Sequence, residues 1–257
     1  MKARYLWIGG LALLLVWGLW QWQRQVSSSL PDNLTRLARR ITVQVQVGQS
    51  WGSGVLLARR GQTYVLVTNQ HVLDSDRRAN RYHVRTPDGQ RYLARIRSWL
   101  SAAIDAAILE FTSSETYDLA CLNPRLPQVG EPVWAAGFPF PTETQPDPGL
   151  VVTTGQVRML LPQPLEGGYR LGYTNEIYKG MSGGPVLNQQ GHVVALNGMH
   201  QPLWGDLYRY ASGEIPPPQV RLQLADLSWG IPVTALWLWV AELTPACPTH
   251  LNGSLSR

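Results

Sequence analysis

From Ile41 onward the chain alternates apolar and polar residues with a period of two. In "ITVQVQV" Ile41, Val43, Val45 and Val47 are set against Thr42, Gln44 and Gln46, the pattern of an extended chain with one buried face. Short runs of strand character recur after it: "SGVLLAR", "TYVLVTN", "YHVRT", "RYLARIR", "AAILEF", "EPVWAAGF", "GLVVTTGQVRML", "GYRLGYT", "GPVLN", "HVVALNG" and "LSWGIPV". Turn signals such as Arg60-Gly61, Pro87-Asp88-Gly89 and Gln190-Gly191 separate many of them. This spacing predicts an all-β protein built of closed or sandwiched antiparallel sheets. Beyond the N-terminus, "VTALWLWVAEL", Val233 to Leu243, is the one strong helical stretch, and Pro245 stops it. "GEIPPPQVR" reads as a rigid surface loop, and residues 23–40 read as a polar linker with one short helix.

Composition changes this picture little. The chain has 257 residues, enough to bury a full core, with 24 Gly, 19 Pro and 15% charged residues, so it is folded rather than disordered. Its net charge of +5 comes from arginine, since Lys2 and Lys179 are the only lysines. Seven arginines fall between Arg77 and Arg97. In "RYLARIRSW" Arg95 and Arg97 alternate with Ala94, Ile96 and Ser98, as on the solvent face of a half-buried strand. No nucleic-acid motif accompanies them, and the acids and histidines lack metal-ligand spacing. Neither nucleic acid nor a metal or other cofactor is therefore expected.

The N-terminus departs from globular composition. After Lys2 and Arg4, Leu6 to Trp20 is an uncharged run of 15 residues, between a secretory core and a full span. No A-x-A site follows, and Trp17, Trp20 and Trp22 suit an interfacial belt. Residues 1–22 thus read as an uncleaved signal anchor, with a cleaved signal peptide as the alternative. Either places the rest of the chain outside the cytoplasm: membrane-anchored in the first case, secreted in the second. Cys121 and Cys247 are the only cysteines. Export would permit a disulfide between them, stabilising by about 4 to 5 kcal/mol in a chain-entropy model; two buried thiols fit the sequence equally well.

Chemistry concentrates in "YKGMSGGPVLN", where glycines and a proline surround Ser182. A serine hydroxyl becomes a nucleophile when a base takes its proton and an acid orients that base. His71 follows the apolar run "VLVTNQ", where a strand end presents it to a cleft. His83, His192, His200 and His250 read as surface residues. For the acid, Asp105 in "IDAAILEF" heads a strand, whereas Asp118 in "YDLACL" follows the polar break "TSSET". Asp105 is the better candidate.

The segments around His71, Asp105 and Ser182, with "GEPVWAAGFP" between, resemble trypsin-like (chymotrypsin-fold) serine peptidases, and within them the bacterial HtrA-like branch. The resemblance runs from about Ile41 to Leu243. It implies two antiparallel six-stranded β-barrels, over about 41–113 and 127–233, a C-terminal helix over 233–243, and a tail from 244 to 257. It implies further that His71 and Asp105 come from the first barrel and Ser182 from the second. The N–H groups of Gly180 and Ser182 would form an oxyanion hole, Gly183 and Gly184 would let the chain pass close to substrate, and Pro185 would stiffen its exit. Glu176 falls where the trypsin pattern places the base of the primary pocket, where an acid would favour Arg or Lys before the scissile bond; the other reading is that it sits on a differently built loop and faces solvent. Asn197, Gly198 and Met199 would form the edge along which a protein or peptide substrate pairs.

Met181 stands where the digestive branch has an aspartate, so activation by insertion of a new N-terminus is not expected. HtrA-like enzymes often carry a PDZ domain, whereas this chain ends at Arg257, so quality control by that architecture is not expected either. "GMSGG" also satisfies the nucleophile elbow of α/β-hydrolases, but "GGPVLNQQG" is a poor helix start and His71 precedes the serine. A catalytically silent, membrane-tethered binding module is the alternative from another class. The sequence specifies no oligomeric state.

Overall fold

The computed structural model describes residues 32–74, 81–199 and 208–243. Within them lie two closed six-stranded antiparallel barrels. The first comprises β1 (Thr42–Val47), β2 (Ser50–Arg60), β3 (Thr63–Thr68), β4 (Tyr82–Arg85), β5 (Arg91–Ser101) and β6 (Ile104–Thr112). Their order around the barrel is β1-β2-β3-β6-β5-β4. The second comprises β7 (Pro132–Gly137), β8 (Val151–Leu160), β9 (Leu171–Tyr173), β10 (Pro185–Leu187), β11 (Val193–Met199) and β12 (Ser228–Pro232), ordered β10-β11-β12-β9-β8-β7. Every run read as a strand forms one, because each carries apolar residues for at least one buried face.

Each barrel has its own interior. Val43, Val45, Leu56, Leu66, Leu109 and Phe111 fill the first; Val133, Ala135, Val157, Tyr173, Met181 and Val186 fill the second. A larger third cluster lies outside both interiors. There Leu57, Val65, Val67 and Ile108 of the first barrel share one contiguous core with Leu187, Leu196 and Trp229 of the second. Strands β2 and β3 are thus buried on both faces, which is why they read as continuous apolar runs rather than strict alternation.

Helices seal this third cluster. Residues 32–41 are helical, with Ala38 and Ile41 buried in it. Ile41 therefore ends a helix rather than opening β1, and "LTRLARR" gives that helix an apolar stripe of Leu34, Leu37 and Ala38. We name this helix α1, and α2 is the short helix Gln70–Leu73. "GEIPPPQVR" is not a loop throughout: Pro218 starts helix α3 (Pro218–Ala225), a position where its missing N–H costs nothing. The carbonyl of Leu224 there accepts from both the Tyr208 hydroxyl and Trp229 Nε1. Helix α4 (Val233–Val240) buries Leu236 and Val240, as its periodicity predicts.

The anchor expected over 1–22 and the tail over 244–257 lie outside the described residues. Among the described residues no helix is long and apolar enough to cross a membrane. Cys121 is disulfide-bonded; Cys247 lies outside the described residues.

Candidate active site

His71 sits on α2, the single helical turn that follows β3, with Val72 and Leu73 buried beneath it. That anchoring leaves the imidazole half exposed, 48% for the side chain, against 17% for Asp105. Asp105 is the second residue of β6, the neighbour of β3 in the sheet. One carboxylate oxygen accepts the backbone N–H of His71 at 2.9 Å and the other meets His71 Nδ1 at 2.5 Å. With Nδ1 holding its hydrogen toward the carboxylate, the lone pair of Nε2 is directed away from it. Asn69 Nδ2 adds a bond to the Asp105 carbonyl at 2.7 Å, tying the end of β3 to the head of β6. Asp118 is elsewhere, paired with Arg40 on the surface.

Ser182 lies on the turn that leads into β10, and each carbonyl of that turn is held. The Lys179 carbonyl accepts from Phe140 N–H at 2.8 Å, and the Met181 carbonyl from Gly184 N–H at 3.1 Å. In a trans peptide the N–H points opposite to its carbonyl, so these bonds turn the N–H groups of Gly180 and Ser182 the other way. Among the described residues neither N–H has an acceptor. Gly180 reaches this geometry at φ 98°, which a side chain would resist. The Ser182 hydroxyl donates to the Gly198 carbonyl at 3.1 Å and not to His71.

Sequence reading missed Ser53, whose hydroxyl is fully buried between the barrels. It donates to the Gly180 carbonyl and accepts Phe138 N–H, both at 2.9 Å, while its own N–H holds the Ser182 carbonyl at 2.7 Å. Trp51, also from the first barrel, donates to the Phe138 carbonyl at 3.0 Å and packs edge-on against Phe140. Met181 is fully buried in the second barrel, and its sulfur accepts Tyr178 N–H at 3.4 Å. The turn at Ser182 is thus fixed by apolar packing and neutral hydrogen bonds.

Two expectations differ from what the structure shows, and Glu176 takes the solvent-facing of its two readings. Gly183 and Gly184 are small for the protein's own sake: a Cβ would lie 2.2 Å from the Ser53 carbonyl oxygen at Gly183, and 2.0 Å from that of Ala136 at Gly184. Asn197 is no part of an open edge. It is fully buried, exchanges backbone hydrogen bonds with Gly183 and Gly184, and spends its side chain on Tyr173 and Ala136. Glu176 is exposed, accepting the Tyr178 hydroxyl at 2.6 Å, because neighbouring Asn175 and Ile177 take the inward positions. Gly198 and Met199 do line a cleft of about 250 Å³ beside His71 and Asp105. Glu166, Arg209, Tyr169 and Tyr208 contribute to its wall, and no pattern in the sequence marked them.

Residues 52–196 match the family model of the trypsin-like peptidase domain. The chain belongs to that family. Among curated relatives, the probable periplasmic serine endoprotease DegP-like of Chlamydia trachomatis is 30% identical over 146 residues, covering 57% of this chain and 27% of its own. The mitochondrial serine protease HTRA2 of Bos taurus is 33% identical over 156 residues, covering 60% and 32% respectively. The chain therefore spans less than a third of either relative. The solved serine endoprotease from Yersinia pestis shares the fold at TM-score 0.59 and 20% identity, over 82% of this chain and 66% of that one. These likenesses place the trypsin-like chain beside the HtrA and DegP-like proteins.

Proposed function

We propose that this chain is a serine endopeptidase that hydrolyses protein substrates outside the cytoplasm through Ser182, His71 and Asp105. The observation that carries this reading is the pair of unclaimed amide hydrogens at Gly180 and Ser182. A silent binding module has no need to hold two nearby amide donors, Gly180 and Ser182, without a protein acceptor while the carbonyls of Lys179, Gly180, Met181 and Ser182 around them are each held.

In the proposed reaction Ser182 Oγ attacks the peptide carbonyl and its proton passes to His71 Nε2. The oxygen that becomes negative is met by the two amide hydrogens; loss of one such donor typically costs about 3 to 4 kcal/mol of transition-state stabilisation. His71 gives the proton to the leaving amine, and the acyl-enzyme is hydrolysed by water with the same roles reversed. Asp105 keeps the hydrogen on Nδ1 and balances the imidazolium. Before substrate arrives the Ser182 hydroxyl rests on the Gly198 carbonyl. A substrate strand pairing along Gly198 and Met199 would compete for that carbonyl and free the hydroxyl to turn to His71.

An extracytoplasmic site is supported by the disulfide at Cys121 and by periplasmic relatives. Attachment through residues 1–22 rests on the sequence alone. The test is labelling by a fluorophosphonate probe: the intact protein is labelled and Ser182→Ala is not. Equal labelling of both, or of neither, would support the silent module instead. Because His71 acts as a neutral base, kcat/KM falls on acidification; a profile that stays flat on acidification would count against the mechanism.

A further inference from the structure

The Asp105 carboxylate accepts three hydrogen bonds, and the third crosses from the other barrel. Besides the two from His71, the carboxylate oxygen that meets Nδ1 also accepts the hydroxyl of Tyr169. Tyr169 stands between a single 3-10 turn, Glu166–Gly168, and β9, and it is 4% exposed. Its ring lies against the backbone of Gly198, on the strand that flanks Ser182. A Cβ at Gly198 would come within 2.1 Å of ring carbon Cε1 and 2.3 Å of the phenol oxygen. The phenol therefore fills the space that any side chain at position 198 would occupy beside the acid. Burial, with the Asp105 charge next to it, pushes the phenol well above its ordinary pKa, so it stays a donor at every working pH.

We propose that Tyr169 is a positioning residue of the catalytic triad, donated by the second barrel to orient Asp105, and that residue 198 is glycine to make room for it. The proposal rests on the roles given above to His71 and Asp105. Its physical content is twofold. A third donor holds the carboxylate plane so that both oxygens face His71, and it draws off part of the charge that would otherwise bear on the imidazole. It also makes the geometry of an acid in the first barrel depend on the second-barrel strand along which substrate would pair.

Tyr169→Phe keeps the ring and removes the donor. The expected result is a fall in kcat of about 10-fold, the usual worth of a hydrogen bond to a charged group, with KM within about 2-fold. The acid limb of kcat/KM moves to higher pH, because a carboxylate relieved of one donor holds the proton on His71 more tightly. In an Asp105→Asn background the same substitution has no further effect on kcat. If Tyr169→Phe does not fold, Gly198→Ala, which retains the phenol but displaces the ring, is expected to give the same split between kcat and KM and the same pH shift. An unchanged kcat and pH profile, or losses that simply multiply in the Asp105→Asn background, would overturn the role of Tyr169. Ser182→Ala separates the two levels: if it is inactive while Tyr169→Phe is unaffected, only this inference fails, whereas an active Ser182→Ala removes the triad itself.

Discussion

Ser53 joins the first barrel to the turn that carries Ser182 through one buried hydroxyl and one amide. The hydroxyl holds the carbonyl of Gly180, whose N–H is a proposed oxyanion donor, while the amide holds the carbonyl of Ser182. Ser53→Ala leaves the Gly180 carbonyl and the Phe138 N–H without that partner in a dry site. Stability is expected to fall by about 1 to 3 kcal/mol, measured by urea unfolding. The turn loosens as well, so kcat should fall by about 10-fold with KM nearly constant. His71, Asp105 and Ser182, the proposed triad, stood out in the sequence because each is a polar group set against apolar or glycine-rich neighbours. Ser53 and Tyr169 did not. Each is an ordinary residue in its local stretch, and its importance comes from a partner 127 or 64 positions away.

At the scale of elements, short apolar runs between turn signals located all twelve strands, by alternation where one face is buried and by continuous apolar stretches in β2 and β3, where both are. Periodicity was silent where burial did not follow it. Helix α3 hides behind three prolines because what fixes it is a proline-compatible start and the buried Leu224, a single apolar anchor. The arginines of β5 are a solvent face as read, and Arg95 and Arg97 both pair with Glu110 on neighbouring β6. The turn between β10 and β11 carries a pH response. His192 there is partly buried, and burial lowers its pKa below the ordinary histidine value. The unfolded chain therefore takes up the proton more readily than the folded one. The stability tied to neutral His192 is complete above about pH 6.5 and is lost as pH falls through that value toward the lowered folded one. His192→Gln should flatten the decline of stability between about pH 7 and 5 while leaving it nearly unchanged at pH 7.5, as followed by urea midpoints across a pH series.

At the scale of the molecule, the site exists only because two barrels approach to backbone contact. Gly183 marks the closest point, with no room for a Cβ between it and Ser53 or Thr68. Gly61, at a similar positive φ of 62°, faces open space. Gly183→Ala should separate the barrels, abolishing activity and lowering the melting temperature sharply. Gly61→Ala should cost only about 1 to 2 kcal/mol of backbone strain with full activity. A comparable loss in both would mean that strain, and not barrel contact, sets the requirement.

What the chain determined by itself is what depends on near neighbours: strand periods, turn positions, the all-β class and the choice of the three residues proposed as a triad. Those follow from which side chains can face water and which cannot, a property carried by every short stretch. The tertiary structure decided the rest. It turned the amide hydrogens at Ser182 outward, gave Asp105 a third donor from the opposite barrel, closed Asn197 inside and put Glu176 in solvent. Each of these depends on distances between segments far apart along the chain, and such distances come into being only when both barrels have closed and packed.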